Sequence, residues 1–189
     1  MELQRHTTIV PTFIDAPVHS GDSPSVPKVY WDSCVFLSLI EATPERIATI
    51  EFLVNEAETG RLEIWTSLFT IAEVAYIKRS KDPIVVDASA QSKIDKLWMP
   101  GSVFKMMEPH LGIMVSSAAI VRDARLAGFG LQAKDSIHLA TAKECGITQL
   151  HPYDGFNKKW GQVRETFGIN VSHPKTERPS VFDPLDRAQ

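Results

Sequence analysis

Residues 134–142 read KDSIHLATA, in which an aspartate precedes an apolar, alanine-rich stretch. The pattern predicts a helix over 135–145, with Gly146 at its end, because glycine often follows the last turn of a helix. Residues 148–151 read TQLH and predict a short strand that leads to Asp154. A helix followed closely by a strand is half of the unit from which parallel sheets are built.

Towards the N-terminus, the same alternation of strand and helix patterns repeats. Residues 29–31 are a β-prone run that ends at Asp32, and residues 33–40 then fit a helix. This order predicts an α/β fold, with a mainly parallel sheet covered by helices on both faces. The other expected elements are strands at 62–66, 103–107 and 169–171, a helix at 88–97, and helices that begin at the N-caps Thr43, Ser67 and Ser116 or Ser117 and end near Gly60, Lys78 and Gly128.

Prolines are concentrated near the two ends of the chain. Because proline fixes φ and removes a backbone donor, these ends are expected to be extended or loosely ordered. We therefore predict an N-terminal extension at 1–27, a folded domain at 28–173 and a C-terminal tail at 174–189. The prolines concerned are Pro11, Pro17, Pro24, Pro27, Pro174, Pro179 and Pro184.

The overall charge argues against a protein that binds nucleic acid through its bulk field. The formal net charge is -3 and the pI is about 6.1, so phosphate binding would need metal ions or a local basic patch. The two cysteines, Cys34 and Cys145, are not a CxxC pair, which argues against a disulfide scaffold or a zinc site. No stretch approaches the roughly 20 apolar residues of a membrane span, so we expect a soluble, cytoplasmic protein with no membrane partner.

Of four candidate carboxylates, three fall near a strand end or a helix start in this arrangement, and the fourth, Glu73, is within reach of that end. In open α/β sheets, sites form beyond the carboxyl ends of the strands, so these side chains could converge on one cleft. Oxygen ligands without a histidine or cysteine set suit Mg²⁺ or Mn²⁺ rather than zinc. Two such ions could activate a water and stabilise the leaving oxygen of a phosphodiester. The four residues are Asp32, Glu73, Asp135 and Asp154.

Each carboxylate also has a purely structural interpretation. Asp32 and Asp135 could be helix N-caps, a position that favours aspartate. Glu73 could be a lone surface glutamate, and Asp154 with its following glycine is a common turn dipeptide. The prediction of a metal site therefore depends on the set of four and its order along the chain.

Several other residues could contact metal or substrate. Ser33 could bond a water near the metal, although a helix cap is the favoured interpretation. His138 could contact the scissile phosphate, although a hydrogen-bonded packing role is favoured. Three basic groups could bind phosphates or could be solvated helix ends, namely Lys78, Arg79 and Lys81, then Arg122 and Arg125, then Lys158 and Lys159.

Four segments together resemble the PIN domain, the nuclease fold of VapC-type toxins and related ribonucleases. The resemblance extends over about residues 29–160, and its most specific part is the aspartate with its alanine-rich helix. One departure is Pro152, where family members often have serine or threonine, so one hydroxyl near the metal is expected to be missing. The four segments are VYWDS at 29–33, TSLFTIAEV at 66–74, KDSIHLATA at 134–142 and YDGF at 153–156.

The resemblance implies a three-layer α/β/α sandwich with a central, mainly parallel sheet. It also implies a Mg²⁺- or Mn²⁺-dependent ribonuclease, often a homodimer, in which Asp32, Glu73, Asp135 and Asp154 hold the metal and act in catalysis. As the toxin of a toxin–antitoxin pair, such a protein would act on RNA and bind a small antitoxin protein. The alternative is a PIN-fold module that binds RNA or protein without cutting.

Overall fold

The structure is a computed structural model, and it describes residues 26–75, 88–153 and 158–176, except for the side chains of residues 158 and 159. Its centre is a sheet of five strands, all parallel. The strands are β1 (Lys28–Trp31), β2 (Glu63–Ser67), β3 (Phe104–Met107), β4 (Gln149–His151) and β5 (Asn170–Val171). Their order across the sheet is β3-β2-β1-β4-β5, so β1 is the central strand.

Helices connect the strands and cover the sheet, which confirms the predicted α/β fold. The long connections are the kind that parallel strands require. The helices are α1 (Ser33–Ile40), α2 (Pro44–Glu58), α3 (Phe69–Glu73), α4 (Ala88–Leu97), α5 (Leu111–Leu126), α6 (Ala133–Glu144) and α7 (Lys158–Phe167). Across the described ranges, none of these helices combines the length and the apolar character needed to cross a membrane.

Two apolar cores lie on opposite faces of the sheet. Successive residues of a strand point to opposite faces. Val29 and Trp31 accordingly pack into one core with α1 and α2, while Tyr30 packs into the other with α5, α6 and α7. Trp31 is fully buried there. The protein is therefore built of three layers, with β1 buried on both sides.

The start of α5 was predicted wrongly. The helix begins at Leu111, where the ring of His110 accepts a hydrogen bond from the backbone N–H of Gly112 at 3.1 Å. Ser117, one of the two expected caps, lies inside the helix and is buried. Its hydroxyl is 2.7 Å from that of Ser136, so it joins α5 to α6 instead of starting a helix.

The helix expected from Ser67 to Lys78 also differs. Ser67 is the last residue of β2, where it pairs with Met107, and α3 is only the short segment Phe69–Glu73. Ser67 Oγ still accepts a hydrogen bond from the N–H of Phe69, at 3.2 Å. The backbone of Ser67 therefore belongs to the sheet and not to a helix. The part of the predicted helix beyond residue 75 lies outside the described residues.

Two further helices differ from the sequence prediction. The helix α6 begins at Ala133 with Gln132 as its N-cap, so the interpretation of Asp135 as a cap is wrong. Helix α7 was not predicted, because Gly161 and polar residues interrupt its apolar pattern. The predicted end segments, 1–27 and 174–189, fall largely outside the described residues, and those domain limits stay predictions.

Candidate active site

Asp32 lies at the carboxyl end of the central strand. Its backbone N–H donates to the carbonyl of His151 at 3.3 Å, which continues the pairing of β1 with β4. Its side chain accepts a hydrogen bond from the N–H of Cys34 at 3.0 Å and so caps α1. The structural interpretation of Asp32 as a cap is confirmed, whereas that of Ser33 as the cap is wrong. Asp32 is also 92% buried, since 8% of its surface is exposed.

Glu73 ends α3 and points to the same edge of the sheet. Its Oε2 is 2.6 Å from Nε2 of His138, and its Oε1 is 4.0 Å from the ammonium of Lys134. The hydroxyl of Ser33 lies close enough to this carboxylate to help lower its pKa. Only 13% of the side chain is exposed, so the interpretation as a lone surface glutamate is wrong.

The electrostatic environment keeps Glu73 ionised. Burial by itself raises the pKa of this carboxyl. The hydrogen bond from His138, the charges of His138 and Lys134 and the hydrogen bond from Ser33 act in the opposite direction. Their combined effect holds the pKa of Glu73 below its usual value. Glu73 is therefore a carboxylate at neutral pH, with acceptor capacity only.

Asp135 lies in the first turn of α6 and is almost fully buried. The positive end of a helix dipole favours a carboxylate at this position. The residue before it, Lys134, contacts Glu73, and the residue after Asp32, Ser33, contacts the same carboxylate. Glu73 thus lies near residues that are adjacent in sequence to each aspartate.

His138 lies beneath this edge as a buried, hydrogen-bonded residue. Its Nδ1 is 2.8 Å from the hydroxyl of Tyr30, while its Nε2 contacts Glu73. The Tyr30 ring meets the imidazole edge-on at 5.7 Å, and Phe69 packs 5.9 Å from it. This geometry matches the packing interpretation of His138, and contact with a phosphate stays a prediction.

Tyr30 did not appear among the sequence candidates. It is the middle residue of the buried run 29–31 in β1, and its hydroxyl reaches α6 on the face opposite to Trp31. A signal was present in the sequence, because Tyr30 is the residue of the apolar run 29–31 whose polar group can accept as well as donate a hydrogen bond. Its partner could not be found from local pattern, since 108 positions separate Tyr30 from His138.

The remaining predicted residues are described only in part. Asp154 lies outside the described residues, so its place at the site is untested. The residue before it, Tyr153, is buried beneath the guanidinium of Arg46, which lies 4.3 Å from the ring centroid. Arg122 and Arg125 are exposed on α5. Lys78, Arg79, Lys81 and the side chains of Lys158 and Lys159 fall outside the described part of the chain.

The donor chemistry of the described acids fits a hard divalent cation, because every candidate ligand is a carboxylate oxygen. Asp32 and Asp135 are each only 8% exposed, and a bound cation would offset the cost of burying such charges. Within residues 26–75, 88–153 and 158–176, no three acids, histidines or cysteines converge closely enough to hold one ion. The described residues therefore provide a partial donor set.

Comparison with known proteins agrees with this architecture. Three solved structures each contain a chain whose fold is similar to most of this chain. VapBC2 from Rickettsia felis, bound to a DNA fragment from their promoter, has a TM-score of 0.56 at 13% identity, covering 77% of this chain and 98% of that one. FitAcB from Neisseria gonorrhoeae has a TM-score of 0.53 at 15% identity, covering 77% of this chain and 97% of that one.

The third is VapC20 from Mycobacterium tuberculosis, a Sarcin-Ricin loop cleaving toxin, with a TM-score of 0.50 at 14% identity, covering 68% of this chain and 91% of that one. At these identities the likeness concerns the fold. No curated protein sequence matches the chain. The model of the PIN domain family matches residues 29–155, which contain β1 to β4 and all three described acids. The chain belongs to the PIN domain family.

Proposed function

We propose that this protein is a metal-dependent endoribonuclease that hydrolyses RNA phosphodiester bonds. The observation that carries the proposal is the placement of Glu73, which contacts Ser33 beside Asp32 and Lys134 beside Asp135. The three acids come from three separate segments, and Asp32 follows the carboxyl end of β1, the edge at which α/β proteins form their sites. Membership of a nuclease family supports the same activity.

Asp32, Glu73 and Asp135 would hold Mg²⁺ or Mn²⁺, together with Asp154. When bound, the cations supply positive charge that polarises the phosphodiester and the attacking water. The chain's own contribution is to fix the ligands beforehand. Asp32 is held by its cap contact with Cys34, and Glu73 by its hydrogen bond with His138. Lys134 offsets part of the negative charge beside the phosphate.

We also propose that the protein is the toxin of a toxin–antitoxin pair, with RNA as substrate and a small antitoxin protein as partner. The similar structure of VapC20, a Sarcin-Ricin loop cleaving toxin, supports RNA as the substrate class. The exposed apolar side chains of Leu111, Met114 and Val115 on α5 support a protein partner, because exposed apolar patches often mark such surfaces. The same face would serve a homodimer, and the proposed compartment is the cytoplasm.

Cleavage of labelled single-stranded RNA tests the nuclease. The purified protein is compared in Mn²⁺, Mg²⁺ and EDTA with Asp32→Asn, Asp135→Asn and the control Asp123→Asn, an exposed acid on α5. Each amide keeps the shape of the acid while removing its charge. We expect metal-dependent cutting that falls by at least about 100-fold in both site variants. Cutting that survives in EDTA, or in both variants, would contradict the proposal.

The second candidate is a PIN-fold module that binds RNA or protein without cutting it. Two observations favour it: Glu73 is already engaged by His138, and the described residues bring no three ligands to one ion position. Calorimetry with Mn²⁺ separates the candidates. A nuclease binds the ion, with loss of binding in Asp135→Asn, whereas a folded chain that binds RNA but no Mn²⁺ is the module.

A further inference from the structure

We propose that Tyr30 is a positioning residue of this site, and that its hydroxyl acts through His138 to hold the carboxylate of Glu73 in place. The inference deepens the proposed nuclease function, because Glu73 is one of its suggested metal ligands. Its basis is a continuous chain of hydrogen bonds from the central strand to the sheet edge. Tyr30 lies 2.8 Å from Nδ1 of His138, and Nε2 lies 2.6 Å from Glu73.

The positions of the protons give this chain a direction. A carboxylate oxygen of Glu73 accepts at 2.6 Å from Nε2 of His138, so Nε2 carries a hydrogen and donates it. In the neutral ring, Nδ1 is then an acceptor and needs a donor. The Tyr30 hydroxyl lies in hydrogen-bond distance of it, and burial raises the pKa of Tyr30 well above its usual value, so the hydroxyl keeps its proton.

Two threonines beside Tyr30 do not supply the hydrogen that Nδ1 of His138 accepts. Thr66 donates to the carbonyl of Trp31, and Thr141 donates to the carbonyl of Ile137. The Tyr30 hydroxyl, at 2.8 Å, is the donor within hydrogen-bond distance of Nδ1.

Loss of the hydroxyl should therefore disturb Glu73 without creating a large cavity. In Tyr30→Phe, Nδ1 of His138 has lost its donor, so the preference for hydrogen on Nε2 depends on Glu73 alone and the form with hydrogen on Nδ1 gains population. The form with hydrogen on Nδ1 turns a lone pair of Nε2 towards the carboxylate, which repels it. Glu73 would then lose its fixed orientation, although the ring of residue 30 would still fill the core.

The first experiment measures the tautomer of His138 by ¹⁵N NMR in the metal-free full-length protein. Spectra are recorded where the nitrogen shifts show a neutral ring. We expect hydrogen on Nε2 in the wild type and a mixture of both tautomers in Tyr30→Phe. Ser117→Ala, which also removes a buried hydroxyl but lies in the α5–α6 contact, should keep the wild-type tautomer. An unchanged tautomer in Tyr30→Phe would overturn the inference.

The second experiment measures Mn²⁺ affinity by calorimetry. Groups that orient a metal ligand typically contribute 10- to 100-fold, so we expect about a 10-fold weaker affinity in Tyr30→Phe and no change in Ser117→Ala. His138→Gln, which keeps an N–H donor, should retain more affinity than His138→Leu. Equal affinities in the last two variants would assign His138 to packing alone and contradict the proposal.

The outcomes of these measurements can be distinguished from a failure of the proposed nuclease function. If the wild type binds no Mn²⁺ and cuts no RNA, the nuclease proposal is wrong, while the tautomer still decides whether Tyr30 positions His138. If Tyr30→Phe does not fold, the pair His138→Gln and His138→Leu supplies the same contrast between a donor and an apolar side chain.

Discussion

Asp32 has two roles that a pair of substitutions can separate. Its carboxylate accepts the N–H of Cys34 and caps α1, and the same carboxylate is a proposed metal ligand. Asparagine is about as good a cap as aspartate but carries no charge, whereas alanine can neither cap nor bind metal. Asp32→Asn should therefore remove activity alone, and Asp32→Ala should remove activity and stability together.

The expected stability change follows from the cap. Loss of an N-cap hydrogen bond costs about 1 kcal/mol of unfolding free energy. For a chain of 189 residues, this corresponds to a fall in melting temperature of about 2–4 °C. Asp32→Asn also loses a favourable interaction with the helix dipole, worth about 0.3–1 kcal/mol, but it no longer buries a charge. These two effects oppose each other, so its melting temperature should stay near the wild-type value.

Thermal unfolding followed by circular dichroism, in EDTA, measures the stability of both variants beside the wild type. RNA cleavage with Mn²⁺ is measured on the same preparations. Equal loss of melting temperature in Asp32→Asn and Asp32→Ala would refute the capping argument. Cleavage retained by Asp32→Asn would refute the assignment of Asp32 as a metal ligand.

Two further predictions concern buried ionisable groups. In metal-free protein, Glu73→Leu leaves the Nε2–H of His138 without its acceptor and should lower stability by about 1–3 kcal/mol in urea titrations, whereas Glu73→Gln should lose less. Because the folded-state pKa of Glu73 is lowered, the wild type's advantage over Glu73→Gln should be full above pH 4.5 and decline as the pH falls through the folded-state pKa.

Burial, with the charges of His173 and Lys175, lowers the pKa of His151 from 6.5 to about 3. The contribution of His151 to stability is therefore full above pH 6.5 and is lost as the pH falls towards 3. Unfolding measured from pH 7 to pH 4 should show a slope of up to about 1.4 kcal/mol per pH unit from this group, and His151→Phe should remove that part of it.

The fold could be predicted from sequence largely because its main elements are marked locally. Asp32 caps α1, and proline at the first position of α2 follows Thr43, so the helix starts are visible in single residues. The start of α5 was missed because His110 is an unusual cap. Helix α7 was missed because its buried residues, Trp160 and Val163, flank a glycine. Both helices are stabilised by tertiary packing, which the local sequence pattern does not show.

The acids were proposed from their type and their order along the chain, and their role as metal ligands stays a prediction. Asp32 follows the central strand and Asp135 lies in the first turn of α6, positions where a parallel sheet places functional groups. The contacts that hold Glu73 come from residues whose separation in sequence is large, 65 positions for His138. Such pairs depend on which strands become neighbours, and no local periodicity encodes that choice.

The central place of β1 has a consequence for the protein's synthesis. Tyr30 is translated before its partner. Asp135 follows 105 residues after Tyr30, and His138 follows 108 residues after it. At about 5–20 residues per second, translation needs roughly 5–20 s to bridge that interval. During this time the growing chain lacks the helix that completes the acidic edge. The site of the proposed nuclease therefore cannot form until the segment that contains Asp135 and His138 has been translated.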